Sequence, residues 1–125
     1  MTENELARLV VEQSLKIHKE LGPGLLESVY EEVLCHELVK TGLQLKRQQA
    51  IAVYYDGVKL DLGFRADLII EDKLIIEIKS IEELSPVHAK ILQTYLRLTN
   101  KKLGLLINFN VELIKHGIKR IVNNL

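Results

Sequence analysis

The chain has 125 residues and balances 17 basic against 17 acidic side chains, a neutrality that argues against tight, indiscriminate nucleic-acid binding. Hydrophobic residues make up 47%, enough for one core-forming domain over residues 1–125, yet no apolar run approaches the ~20 residues that a membrane span needs. The lone cysteine, Cys35, excludes an internal disulfide, and the acids of MTENELARLV stand where a signal peptide carries bases; both point to a reducing, cytoplasmic setting without a membrane.

In chain order, residues 4–21 predict an amphipathic helix, with Leu6, Leu9, Val10, Gln13, Ile17 and Leu21 at helical spacing. Gly22-Pro23-Gly24 breaks it. A second helix is expected over residues 25–40, with Leu26, Val29, Tyr30, Val33, Leu34 and Leu38 on a broad apolar face. Glu27 lies in its first turn, where the helix dipole favours a carboxylate. It also borders the buried side, three residues from Tyr30 and seven from Leu34. From Leu43 the period becomes two. A strand reaches Tyr55, Asp56-Gly57 signals a hairpin, and Val58–Leu62 returns as its partner, with a bend or bulge expected at Gly63.

The stretch Phe64–Ser80, FRADLIIEDKLIIEIKS, reads as two strands and a tight turn. Asp67, Glu77 and Lys79 interrupt an otherwise apolar ribbon, and buried charge is costly unless it is paired or binds a metal. A three-residue turn, Glu71-Asp72-Lys73, sets Ile70 against Leu74, Leu68 against Ile76 and Asp67 against Glu77. That register gathers Arg65, Asp67, Glu77 and Lys79 on one face and leaves Ala66, Leu68, Ile70, Leu74, Ile76 and Ile78 on the other. A one-residue slip would mix charge into the core.

Ser85-Pro86 starts a third helix, Ser as N-cap and Pro at the first helical position, running to about Thr99. Val87, Ile91, Tyr95 and Leu98 are expected to face a core, with Lys90, Gln93 and Arg97 on another face. Leu103–Phe109 is continuous apolar sequence, the signature of a strand buried on both faces. Val111–Lys115 reads as either a helical turn or a strand, Gly117 as a turn, and Ile118–Val122 as an edge strand that completes the chain. The helix between strands predicts a right-handed parallel crossover within a mixed sheet flanked by helices.

Two neighbouring carboxylates repel unless a cation sits between them. Mg²⁺, held by one or two carboxylates and waters, suits Asp67 and Glu77, with Mn²⁺ as a substitute. Such an ion lowers the pKa of a bound water and stabilises developing phosphoryl charge. Lys79, as a point charge, suits a phosphate oxygen or the attacking water. The competing reading is a solvated face on which Asp67–Lys79 and Glu77–Arg65 form diagonal ion pairs.

Asp67, nine intervening residues, then Glu77-Ile78-Lys79 resembles the D…(D/E)xK core of the PD-(D/E)XK nuclease superfamily. Gly24-Leu25-Leu26-Glu27-Ser28-Val29-Tyr30 reads G-x-x-E-x-x-Y and, with the element order, is similar to the small prokaryotic GxxExxY family of that superfamily. The resemblance spans essentially the whole chain. It implies a restriction-endonuclease-like α/β fold (αα-βββ(β)-α-β-β) and a Mg²⁺-dependent nuclease, DNA ahead of RNA as substrate. Asp67, Glu77, Glu27 and the carbonyl of Ile78 would hold the metal, and Lys79 would be the catalytic lysine. Gln93 is carried over from a Q-x-x-x-Y motif whose spacing here is Q-x-Y, ending at Tyr95. Ala66 stands where a proline often precedes the first Asp.

The last forty residues carry seven basic groups against Glu112 alone, which reads either as a solvated surface or as a patch for an anion. In the nuclease reading, Lys90, Arg97 and Arg65 would contact phosphates. A homodimer is expected, since two copies could cut both strands of a duplex. The alternative function is a non-catalytic nucleic-acid-binding or protein-assembly module that keeps the nuclease fold. His18, His36, His88 and His116 show no ligand spacing with Cys35. Cys35 reads as a core thiol and His88 as a first-turn surface histidine. Core packing is the expectation for Tyr54, Tyr55 and Tyr95.

Overall fold

Thr2 opens the first helix: its hydroxyl accepts the Glu5 N–H at 3.2 Å, and Glu3 and Glu5 place negative charge on the dipole's positive end. Helix α1 spans Glu3–Leu21 and stops where Gly22 takes a positive φ of 68°. In this computed structural model, the backbone of residues 1–125 and the side chains of residues 1–60 and 64–125 are described. The bend expected at Gly63 lies outside the described residues. Helix α2 spans Glu27–Lys40, two residues shorter at its start than the periodicity predicts, because Leu26 is extended and acts as N-cap.

Strands β1 (Leu45–Tyr55) and β2 (Val58–Ile70) form the long hairpin expected at Asp56-Gly57. Both turn residues have positive φ, 52° and 75°, as a primed turn requires. Strand β3 (Leu74–Lys79) pairs back on β2 with Leu68 opposite Ile76 and Ile70 opposite Leu74. The turn is therefore three residues long, and hydrophobic patterning chose the register. Helix α3 (Pro86–Thr99) crosses over to β4 (Leu103–Asn108), which pairs parallel with β3. A 3₁₀ turn, Ile114–His116, leads to the edge strand β5 (Ile118–Val122), antiparallel to β4. The five strands follow sequence order across one mixed sheet.

Two apolar layers enclose that sheet. Leu68, Ile70, Leu74, Ile76 and Ile78 pack with Leu6, Val10, Tyr30, Leu34 and Leu38 of α1 and α2. Ile69, Ile75 and Leu106 pack with Leu92, Tyr95 and Leu96 of α3. Burying both faces of β3 and β4 explains why these strands read as unbroken apolar runs.

Three expectations need correction. The core face of α3 is Leu92, Tyr95 and Leu96, whereas Val87, Ile91 and Leu98 are exposed. The helix is rotated because Leu92 seats over Gly104 of β4, where an added Cβ would lie 2.9 Å from the leucine. Ala66 clusters with Ile51 and Tyr95 rather than with Leu68, because the β1–β2 ladder is irregular between them. There Gln48 adopts a φ of 48° and the pairing passes from Arg47↔Leu68 to Gln49↔Ala66. Tyr54 and Tyr55 are exposed near the hairpin tip rather than packed in a core.

Candidate active site

The regular β2–β3 ladder runs from Ile70↔Leu74 to Leu68↔Ile76. One residue further, side chains take over from backbone carbonyls. The Asp67 N–H donates to Glu77 Oε1 at 3.2 Å, and the Ile78 N–H donates to Asp67 Oδ2 at 2.8 Å. Each acid thus binds a backbone amide of the other's strand, which holds both carboxylates where the two strands part. Ile78 meets the pair through its amide.

Glu77 is buried and Asp67 half-buried. Burial first, and the Asp67 carboxylate second, push the Glu77 carboxyl from 4.5 up to about 8; the nearby Lys79 ammonium pulls it the other way. Among the described residues neither acid has an ion-pair partner within 4.0 Å, so the diagonal pairs of the solvated-face reading do not form. Lys79 follows Glu77 by two residues on a strand, which places it on the same face.

Gln48 and Glu31 carry no obvious sequence signal, yet both reach this site. Gln48 Nε2 donates to Asp67 Oδ1 at 3.2 Å and to Glu31 Oε1 at 2.7 Å. The Arg47 guanidinium then binds Glu31 at 2.8 Å and Glu32 at 2.7 Å. Glu31 is consequently buried but paired, as a buried charge must be. It lies one helical turn beyond Glu27, and that i, i+4 relation was the available clue. For Gln48 there was none, since an extended reading of β1 does not foresee a left-handed glutamine.

Glu27 itself is exposed and near the start of α2. That end is anchored beside the end of β3: Ser80 Oγ donates to the Leu25 carbonyl at 2.5 Å. Among the described residues no three Asp, Glu, His or Cys side chains converge on one ion position. The structure therefore brings Asp67 and Glu77 together and leaves Glu27 outside the pair. Tyr30, the last residue of G-x-x-E-x-x-Y, has a structural task. Its hydroxyl donates to the Gly22 carbonyl at 2.6 Å and accepts the Leu25 N–H at 3.2 Å. Its ring stacks on Phe109 with centroids 4.5 Å apart. It fixes the loop that presents Glu27.

On the α3 side, Tyr95 rather than Gln93 feels the acids. Burial first, then Glu77 and Asp67, raise the Tyr95 hydroxyl, against an opposite pull from the Arg65 backbone. Gln93 is half-buried, and Lys90, Arg97 and Arg65 are exposed. His88 accepts the Ser85 N–H at 2.9 Å and caps α3. The loop after Lys79 is held by buried Asn108, whose side chain bonds both the N–H and the carbonyl of Ile81, at 3.1 and 2.9 Å. Burial pushes the Cys35 thiol up to about 11, against a smaller opposite pull from Arg47, so it is a core thiol and no nucleophile.

An all-oxygen carboxylate pair, one of its members buried, stands beside a lysine at the parting of two strands of a mixed sheet. A family model for the PD-(D/E)XK nuclease superfamily matches residues 4–121. The chain belongs to that superfamily. No curated protein and no solved structure matches it. The observed α/β fold is the restriction-endonuclease-like fold of the superfamily, whose nucleases generally use divalent metals. The donors here fit such an ion. Hard oxygens suit Mg²⁺, which keeps several waters and takes one or two carboxylates, and a cation would offset the burial and the repulsion that raise Glu77. Among the described residues no helix is long and apolar enough to cross a membrane.

Proposed function

We propose that this chain is a Mg²⁺-dependent nuclease of the GxxExxY kind, hydrolysing phosphodiester bonds with DNA ahead of RNA as substrate. The observation that carries this reading is the Asp67–Glu77 pair: two like charges held together by each other's backbone, one of them buried, with no cationic partner among the described residues. A purely structural pair would be expected to carry its own counter-charge, as Glu31 does through Arg47.

In this reading Asp67 and Glu77 hold the metal, Glu27 and the Ile78 carbonyl complete its shell through movement or water, and the bound ion supplies Lewis acidity and an acidified water. Lys79 orients that water or binds a phosphate oxygen. Gln48 keeps Asp67 Oδ1 oriented, Gln93 assists, and Arg65, Lys90 and Arg97 meet phosphates. The reading includes a single domain over residues 1–125 and pairing of two copies to cut both strands.

The test is incubation with plasmid and oligonucleotide, with EDTA, Mg²⁺ or Mn²⁺. Cutting should require metal and should vanish in Glu77→Gln and Lys79→Ala. Metal-independent cutting, or full activity in Glu77→Gln, overturns the assignment. Folded protein that neither binds Mg²⁺ by calorimetry nor cuts any substrate favours the non-catalytic module, a reading drawn from the absence of a third converging acid among the described residues.

A further inference from the structure

The β1–β2 hairpin reaches well past its neighbour. Strand β2 pairs with β1 along Val58–Ile70 but with β3 only over Leu68–Ile70. The remainder is a two-stranded ribbon, which is marginal in isolation, and its surface is aromatic and cationic. Tyr54 is 66% exposed and Phe64 37% exposed. A groove of about 560 Å³ runs along it, lined by Gln49, Lys59, Phe64, Arg65 and Tyr95 among others. A second hollow of about 230 Å³ continues past residues 49–52, which both share, to Tyr54, Lys46 and the Lys101–Asp72 ion pair.

The trough ends close to the acid pair: Arg65, two residues before Asp67 on β2, and Tyr95 both line it, and Tyr95 clusters with Ala66 and Ile75, neighbours of Asp67 and Glu77 on their strands. The Phe64 ring meets Tyr95 edge-on, with centroids 5.5 Å apart and planes at 63°, so the contact leaves a ring face of Phe64 for another partner. Exposed ring faces beside a cation in an open groove are what unpaired bases and their phosphates require. A duplex hides its base faces and would leave these rings without a partner. A second copy of the chain would bring the Arg65 rim against its own equivalent across a twofold axis.

We propose that this trough binds an unpaired strand of nucleic acid, with bases stacked on Phe64 and Tyr54 and phosphates met by Arg65, so that the substrate is single-stranded or carries a single-stranded segment. This rests on the nuclease reading only for what happens to the strand, not for its binding. The test uses the full chain in EDTA at fixed salt. Fluorescence anisotropy compares a dye-labelled oligodeoxythymidine with the same strand annealed to oligodeoxyadenosine.

The single strand should bind more tightly. Tyr54→Ala, and Phe64→Leu (which keeps an apolar contact to Tyr95), should each weaken it about tenfold and leave duplex binding within about twofold. Arg65→Gln should weaken binding and lower its salt slope by about one phosphate contact. Duplex bound as tightly as the strand overturns the proposal. So does equal loss on both substrates, or a dimer in sedimentation that Tyr54→Ala disrupts. Strand preference without cleavage under Mg²⁺ would leave this inference standing and remove the nuclease reading; cleavage without strand preference would do the reverse.

Discussion

Replacing Glu77 by Gln keeps the shape of the side chain and removes its charge. The wild-type carboxyl rises from 4.5 to about 8 on folding, and each unit is worth about 1.4 kcal/mol. Forcing this buried group to ionise therefore costs the metal-free fold on the order of 3–5 kcal/mol, a large share of the roughly 5–15 kcal/mol that holds a domain together. The sign follows from linkage. Between pH 4.5 and about 8 the folded chain holds a proton that the unfolded chain has lost, so stability falls as pH rises. Below 4.5 the contribution is fully present, and above about 8 it is gone. The assay is urea unfolding in EDTA at pH 5, 7 and 9. Wild type should weaken across that range, while Glu77→Gln should match it near pH 5, lack this downward slope, and exceed it by several kcal/mol at pH 9. Adding Mg²⁺ at high pH should restore wild type and leave the variant unchanged. Parallel pH profiles for the two proteins, or wild-type stability rising from pH 5 to 9, would refute the account of a strained, like-charged pair.

Further outcomes are expected elsewhere. Tyr30→Phe keeps the Phe109 stack but removes the hydroxyl bonds to Gly22 and Leu25; it should cost about 1–2 kcal/mol in denaturant unfolding and speed proteolysis within residues 22–26. Gly104→Ala sets a methyl 2.9 Å from Leu92 and should destabilise by about 1–3 kcal/mol, read as a lower midpoint with an unchanged m-value. Asn108→Ala strips partners from the half-buried Ile81 backbone and should cost about 1–3 kcal/mol. Cys35 should resist a thiol reagent at pH 8 until the protein is unfolded.

Local rules read in one dimension determined much of this protein. The Asp56-Gly57 turn, the Ser85-Pro86 helix start, the buried β3 and β4, and the three-residue turn after Ile70 all follow from side-chain period and turn chemistry. Those same rules placed Asp67 opposite Glu77. Only the tertiary structure decided what the pair touches. The sheet ladder ends at Asp67, Gln48 turns left-handed, and Glu31 enters from another helix; each depends on contacts between residues far apart in the chain. The rotation of α3 was likewise hidden, because a helix with apolar residues on several faces has no preferred side until Gly104 opens a seat for Leu92. Tyr54 and Tyr55 read as core aromatics because period reports apolarity, not whether another strand will arrive to cover it. Along most of the hairpin β3 does not arrive, and that missing neighbour turns a predicted core into an exposed trough beside the carboxylates.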